Sequence, residues 1–556
     1  MDESFDYVIV GGGSAGCVLA HRLSADPNRR VLLLEAGHSR RPFLMRMPLG
    51  FLQLIKDPAI SWGYNSEPEA HAMGRRLWLP RGKMLGGTSS INGMLYSRAD
   101  PRDYDEWRNL GLPGWSFREV LPYFRRAESS CHGESVFHGS TGPLTVKGWQ
   151  ATGGLLNATL ATVRAKGYPV HADHNDSLEC EGFAPPEGTI HNGERGSTDV
   201  CYLRPVMTRP NLTVRVNAQV MRVLFEGRRA LGVEYEVDGT KHIARSGSEV
   251  LLSAGSYNSP QLLLLSGIGP ADELRALGIE PRVDSPGVGR NLQEHATVGL
   301  GFSAKRSLGF DEQLRLDRIS LTVLQWILFR SGPATRLPIT CMGFIRTQPG
   351  LDRPDVKVNL FPTNMDARVW VPGIRPSRGA NLSAFNILSR PRSRGRMVLA
   401  SPDPRAAPRV FLNVLEDPAD VATLVRAFKW TRELYATAPL SNYVGQERLP
   451  GPAARTEAEI EAHIRSTVMV AHHPAGTCAM GTDSSAVVDA QLRVRGVEGL
   501  RVIDASVMPR LVGGNTNAPV IMIAEKAADM ILGVAALPPA ILGPELSEPL
   551  RAQAAH

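Results

Sequence analysis

The chain predicts an α/β fold of more than one domain, opened by a Rossmann-like dinucleotide-binding unit. Three observations carry this. Near the N-terminus, "DYVIVGGGSAGCVLAHRLSADPNRRVLLLEAG" reads as strand, glycine-rich turn, helix and strand. The 556 residues are long enough for two or more domains of roughly 150 each. Helix-capping signals return far downstream, at Asp417–Pro418 and at Thr456 with Glu459.

Each element of the opening unit has a physical task. Tyr7–Val10 is a short apolar strand, Val31–Leu34 a buried parallel one, and Val18, Leu19 and Leu23 recur at helical spacing. Gly11, Gly13 and Gly16 satisfy GxGxxG. The first permits the tight turn, the second lets backbone approach a pyrophosphate, and the third lets helix pack on strand. Ser14 and Ala15 start the helix, whose free N–H groups and positive dipole end suit phosphate oxygens. Glu35, followed by Ala36, stands where a carboxylate can accept hydrogen bonds from ribose hydroxyls. The unit alone does not separate FAD from NAD.

"RGKMLGGTSSINGMLYSRAD" is a second glycine-rich loop, with Gly86 and Gly87 leading to Asn92, Gly93 and Met94; by itself it is any tight turn. "SAGSYNSPQLLLLSGIGP" is an apolar helix between glycine and proline punctuation, and its spacing suits core. Asp417 is an N-cap before proline, with Val421, Leu424, Val425 and Phe428 on one apolar face. Residues 300–390 are rich in proline, arginine and glycine, and periodicity assigns no strand there.

Composition narrows the class. Hydrophobic residues are 43% and charged residues 21%, as in folded proteins rather than disordered ones. The net charge of +7 is small for this length and no basic run occurs, so nucleic acid is not an expected partner. Cys17, Cys131, Cys180, Cys201, Cys341 and Cys478 are scattered without a CxxC pair. That predicts no metal site, no disulfide framework and a reducing cytoplasmic setting. No leader precedes the first strand, and the longest apolar runs, "LTVLQWILF" among them, fall short of the roughly 20 residues of a membrane span. A soluble protein is expected, with peripheral membrane contact left open.

Five stretches occur in an order and at separations that resemble the glucose–methanol–choline (GMC) flavoenzyme family. They are the N-terminal unit, "GKMLGGTSSINGMLY", "AGSYNSPQLLLLSGIG", "HHPAGTCAMG" and "LRVIDASVMPRLVGGNTNAPVIMIAEKAADMI". The likeness spans Asp6 to about Leu532 and is strongest to bacterial alcohol dehydrogenases of the choline and aliphatic-alkanol type. It implies FAD as cofactor. It also implies a discontinuous FAD-binding domain at 1–150, 190–300 and 468–540, and a sheet-and-helix substrate-binding cap at 300–467 with parts of 150–190. Residues 541–556 are expected to be a tail. The implied reaction is oxidation of a primary alcohol to the aldehyde, with electrons passed to a quinone or other carrier. An oxidase using O₂ is the first alternative; a flavin-containing hydroxynitrile lyase is one of another class.

Within "AHHPAGTCAMG", two adjacent histidines can be a surface loop, core rings, half a metal site, or a base. Alcohol oxidation needs a base, because an alkoxide expels hydride and a neutral alcohol does not. The resemblance assigns that base to His473 and its hydrogen-bonding partner to Asn517. Alternation along extended chain implies that His472 and His473 do not both face the flavin. The resemblance also carries Asp504 and Ala505 to the ribityl–pyrophosphate region, Asn92 and Gly93 to the isoalloxazine, Val220 to adenine and His295 to a structural role. Where some members tether FAD covalently through histidine, this chain has Ile91, so FAD is expected to be non-covalent. Substrate identity and oligomeric state are not legible.

Overall fold

The computed structural model describes residues 3–149, 154–364 and 366–542. It opens with β1 (Glu3–Val10), α1 (Ser14–Leu23) and β2 (Val31–Leu34). The two strands run parallel, Tyr7 opposite Val31 through Val10 opposite Leu34. All of β2 is buried, because a parallel strand is covered on both faces. Gly11 turns the chain with φ +99°. A Cβ on Gly16 would lie 1.9 Å from the Gly11 carbonyl oxygen, so only glycine lets α1 start this close to β1.

In chain order there follow α2 (Pro101–Asn109), α3 (Phe117–Ala127) and β3 (Gly182–Ala184). Then come β4 (Leu212–Arg215), β5 (Ala218–Glu226), β6 (Arg229–Val237), β7 (Thr240–Leu252) and α4 (Gly255–Leu265). Next are β8 (Ala296–Ala304), α5 (Leu316–Phe329), β9 (Cys341–Ile345), β10 (Val356–Phe361) and β11 (Asn381–Leu388). Last come α6 (Pro418–Ala436), β12 (Val444–Leu449), α7 (Glu457–Thr467), β13 (Met469–Val470), β14 (Leu500–Val502) and α8 (Asn517–Leu532).

Two large sheets organise these elements into the predicted α/β class. The first runs β4-β2-β1-β7-β6-β5, with β14 added beside β7. Its β4, β2, β1, β7 and β14 pairings are parallel, and β5 and β6 form an antiparallel extension. The second is antiparallel, β12-β8-β11-β10-β9-β3, with β13 beside β8. β9 is buried along its whole length, which is why residues 300–390 show no alternating pattern.

α8 packs on α1 and is buried from Ala518 to Asp529. Its buried carboxylates are paired. Arg22 of α1 reaches Asp529 at 2.7 Å and also Glu525, while Arg126 of α3 reaches the other Asp529 oxygen at 2.9 Å. Arg126 also reaches Glu525 at 3.0 Å, so each carboxylate keeps a partner if one arginine is lost. The expected helix starts are present: Asp417 accepts the Ala419 N–H at 2.8 Å, and Thr456 and Glu459 form a reciprocal capping box. Among the described residues no helix is long and apolar enough to cross a membrane. The tail assigned to 541–556 lies, from residue 543 onward, outside the described residues.

Candidate active site

A cavity of about 600 Å³ lies between the two sheets. One end is walled by Gly11, Gly13, Ser14, Ala15, Glu35, Ala36 and Val220. Gly87, Ile91, Asn92, Gly93, Met94, Asp504, Ala505 and, against Ser14, Asn517 line the stretch beside it, and His472, His473 and Asn515 the far end. Gly16 and Gly86 stand behind the wall rather than on it. Gly86 adopts φ +84° and its N–H donates to the Gly12 carbonyl at 2.7 Å, which ties the second glycine loop to the first. The loops meet so closely that a Cβ on Gly87 would fall 2.8 Å from Gly13 Cα.

Backbone dominates this end. Glu35 accepts the Gly12 and Gly37 N–H groups, each at 2.8 Å, and its burial raises the carboxyl to about 7. Asp504 accepts the Gly255 N–H at 2.9 Å, the Ser506 N–H at 2.8 Å and the Ser259 hydroxyl at 2.5 Å, fixing the starts of α4 and of the following turn. α1 and α8 both begin at the cavity without a side-chain cap and without an acidic residue in the first turn. Two uncompensated positive helix ends beside open glycine backbone fit a diphosphate-bearing dinucleotide.

The far end is made of side chains. The His295 Nε2 lies 3.1 Å from the Ser389 carbonyl oxygen, which can only accept, so that nitrogen carries the proton. His295 Nδ1 is therefore a lone pair. It sits 3.0 Å from His473 Nδ1, which must donate to it. The proton on His473 is thus held at Nδ1, and Nε2 is left basic. Asn515 Nδ2 stands 3.2 Å from that Nε2. The Asn515 amide is oriented in turn by Lys357, whose ammonium donates to Oδ1 at 2.5 Å. Glu294 accepts the backbone N–H groups of both His295 and His473, at 3.0 and 2.7 Å.

Burial governs the charges here. It holds His473 well below the ordinary histidine value, with His295 and Lys357 adding to the effect, so the ring is a neutral base at working pH. Burial lowers His295 to about 3 and Lys357 to about 7, and raises Glu294 to about 7.

Three expectations are corrected. Asn517 is not the partner of His473. As the first residue of α8 it turns toward α1 and accepts the Ser14 hydroxyl at 2.7 Å, while Asn515, in the loop before the helix, reaches the base. His472 is not on extended chain; its φ is +65°, so simple alternation does not apply and both rings line the cavity. His472 meets Trp78 edge-on, with centroids 5.8 Å apart, and among the described residues its Nδ1 has no hydrogen-bond partner. His295 is more than structural, because it sets the tautomer of His473. Far from this corner, Cys131, His132 and Glu187 have potential ligand atoms within 4.8 Å of one another, and the His132 ring already pairs with Glu187 at 2.6 Å.

Family models described as GMC oxidoreductase match residues 5–297 and 391–524. The chain is 41% identical to the mouse mitochondrial choline dehydrogenase, over 96% of this chain and 90% of that protein. It is 40% identical to an oxygen-dependent choline dehydrogenase of Photobacterium profundum, over 97% and 95%. Among solved structures it superposes on pyridoxine 4-oxidase from Mesorbium loti with a TM-score of 0.85 at 30% identity, covering 96% of this chain and all of that one. The formate oxidase of Aspergillus oryzae RIB40 gives a TM-score of 0.88 at 26% identity, covering 96% and 98%.

Proposed function

This chain belongs to the GMC oxidoreductase family, and on that premise we propose that it oxidises a primary alcohol to the aldehyde with His473 as general base. It is an FAD-dependent oxidoreductase acting on CH–OH groups. We assign 1–150, 190–300 and 468–540 to the FAD-binding part and 300–467 to the substrate-binding cap. The glycines, Ser14 and Ala15 at the start of α1 would hold the diphosphate, Glu35 the adenosine ribose and Val220 the adenine. Asn92, Gly93, Met94, Asp504, Ala505 and Asn517 would border the ribityl and ring system. Ile91 is buried and has no nucleophile, which supports a non-covalent cofactor.

FAD, when bound, supplies the hydride acceptor. The protein's part is the proton. His473 Nε2 takes the hydroxyl proton, Asn515 Nδ2 donates to the oxygen as it gains charge, and His295 receives the Nδ1–H of the ring as it becomes cationic. The single observation behind this reading is the Ser389–His295–His473 chain, which leaves the base unprotonated on the nitrogen beside Asn515. A factor of about 10²–10⁴ in rate is what such a positioned base contributes.

Cavity chemistry supports a neutral substrate with an apolar body. Among the described residues its only carboxylates are Glu35 and Asp504, both placed with the cofactor, while Leu337, Ile339, Phe361, Phe385 and Ile387 line the opposite wall. A quaternary ammonium would have to rely on aromatic faces alone. Electrons pass on to a quinone or another carrier; direct use of O₂ is the second reading, favoured by the oxidase names among the relatives. Anaerobic mixing with aliphatic, benzylic and amino alcohols should bleach the flavin with apolar primary alcohols first. No bleaching with any alcohol would sink the reading, and rapid recovery of colour in air would select the oxidase. Acid precipitation should release all the flavin; colour kept in the pellet would show a covalent link.

A further inference from the structure

We infer that the outer face of α5, with the loop beside its first turn, docks on an anionic phospholipid surface. The inference does not depend on the reaction proposed above. α5 meets the protein through one stripe. Trp326 is fully buried, packs with Met47 and Ala334, and donates its indole N–H to the Gly193 carbonyl at 2.7 Å. The other side is apolar and uncovered: Leu316, Leu321, Leu324, Ile327, Leu328 and Phe329 are exposed, Leu321 by 66% and Phe329 by 71%. A helix on a water-facing surface ordinarily puts charge there.

The patch continues past both ends of the helix. Phe43 is exposed and meets Trp326 edge-on, with centroids 5.3 Å apart. At the first turn, the Leu316 N–H donates to the Trp370 carbonyl at 2.9 Å, which brings up the loop carrying Ile374, 83% exposed.

Charge identifies the occupant. Arg368, Arg375 and Arg378 crowd together on that loop, and among the described residues none has an ion-pair partner. Of the nearby acids, Asp317 pairs with Arg315 at 2.7 Å and Glu312 with Arg318 at 3.0 Å, while Asp311 accepts the Ser377 hydroxyl at 2.6 Å, so that Asp311 and Asp366 are the two acids set against the three arginines. At the far end, Arg41, Arg46 and Arg330 share the single carboxylate of Glu194, at 3.5, 2.5 and 2.9 Å. An apolar strip with surplus guanidinium at both ends matches acyl chains flanked by anionic headgroups. A second copy fits worse, because a two-fold contact would set arginine against arginine.

Parts of the cavity lining lie on neighbouring chain segments. Phe51 and Ile55 follow the stretch under α5, Leu337 and Pro338 follow α5 itself, and Thr363 and Asn364 precede the arginine loop.

The test is vesicle flotation of the holoenzyme, with sedimentation velocity run alongside. The protein should float with vesicles of phosphatidylcholine mixed with phosphatidylglycerol and stay behind with phosphatidylcholine alone. Leu321→Asp or Leu328→Asp should weaken binding by at least about tenfold. Arg375→Gln should weaken it by about fivefold. Each variant should keep wild-type turnover of a water-soluble alcohol with a soluble dye, which certifies the fold; Leu328→Ser serves where the aspartate variant does not fold. Failure of the holoenzyme to float, or wild-type flotation by the Asp variants, overturns the inference. So does equal binding to both vesicle types, or a wild-type dimer that the Asp variants turn into monomer.

Discussion

At its dinucleotide end the cavity is walled by backbone, with two glycine turns and two uncapped helix starts. At its base end the wall is made of side chains from distant segments. His473 and His295 are 178 residues apart, Asn515 and Lys357 158. The difference separates two ways of making a polar site. A backbone site is written locally, because turn geometry needs glycine at fixed spacing. A side-chain network is written nowhere locally, because each member needs only to be present when the sheets meet.

Substitutions should divide along the same line. The largest effect belongs to His473→Ala. Flavin reduction by alcohol should slow by about 10²–10⁴-fold with FAD retained, and the residual rate should keep rising with pH where the wild type has levelled. Stopped-flow under anaerobic conditions measures this, and a rate within threefold of wild type would move the base elsewhere. Next comes the asparagine pair. Asn515→Ala should cost about 10²-fold in the same rate, as loss of a donor to a developing oxyanion does. Asn517→Ala should spare that rate once FAD is saturating and weaken FAD retention instead. The reverse pattern would restore Asn517 as the partner.

The two ends should also answer pH with opposite sign. Burial lowers folded His295 to about 3, so its contribution to stability is complete above its unfolded value and is lost as pH falls below about 6.5. Folded Glu35 is raised to about 7, so its contribution is complete below about 4.5 and is lost as pH rises through 7. Between pH 5 and 6.5, His295→Phe should flatten the acid loss of stability and Glu35→Gln should steepen it, each by about 1.4 kcal/mol per pH unit. Denaturant midpoints across that range decide it; parallel shifts in both variants would show that neither group titrates as described.

The smallest effect is that of Lys357→Met. Without its donor to Oδ1 the Asn515 amide can turn over, and reduction should slow by about tenfold or less, roughly the worth of one ordinary hydrogen bond. Lys357 faces Asn515 and the Phe344 ring, and it acts on both His295 and His473. Its titration near 7 should therefore leave a step in the wild-type pH profile that the variant lacks.

Much of the fold was legible, for reasons the residues make plain. β1, α1 and β2 carry their pattern in 32 contiguous residues, Glu3 to Leu34. The capping signals of α6 and α7 are equally local. β9 and β10 were not legible, since strands buried on both faces show no period of two. At the site, the family resemblance singled out His473, which lines the cavity. Its partner was misplaced by two residues: "GGNTNAP" offers two asparagines, and only the start of α8 decides which one turns inward. Lys357 and Ser389 gave no signal, because an isolated lysine in a strand and a peptide carbonyl look like any others.

The polarity of the base begins at that carbonyl. Every amino acid placed at position 389 brings the same oxygen, so no coding change there can reverse which nitrogen of His473 is left bare. Ser389→Ala should be silent in the tautomer while His295→Ala is not, and nitrogen-15 spectra of the two rings would read it directly. In the proposed reaction, the side of the ring that takes the proton is thus set by a main-chain oxygen, with His295 the one side chain between it and His473.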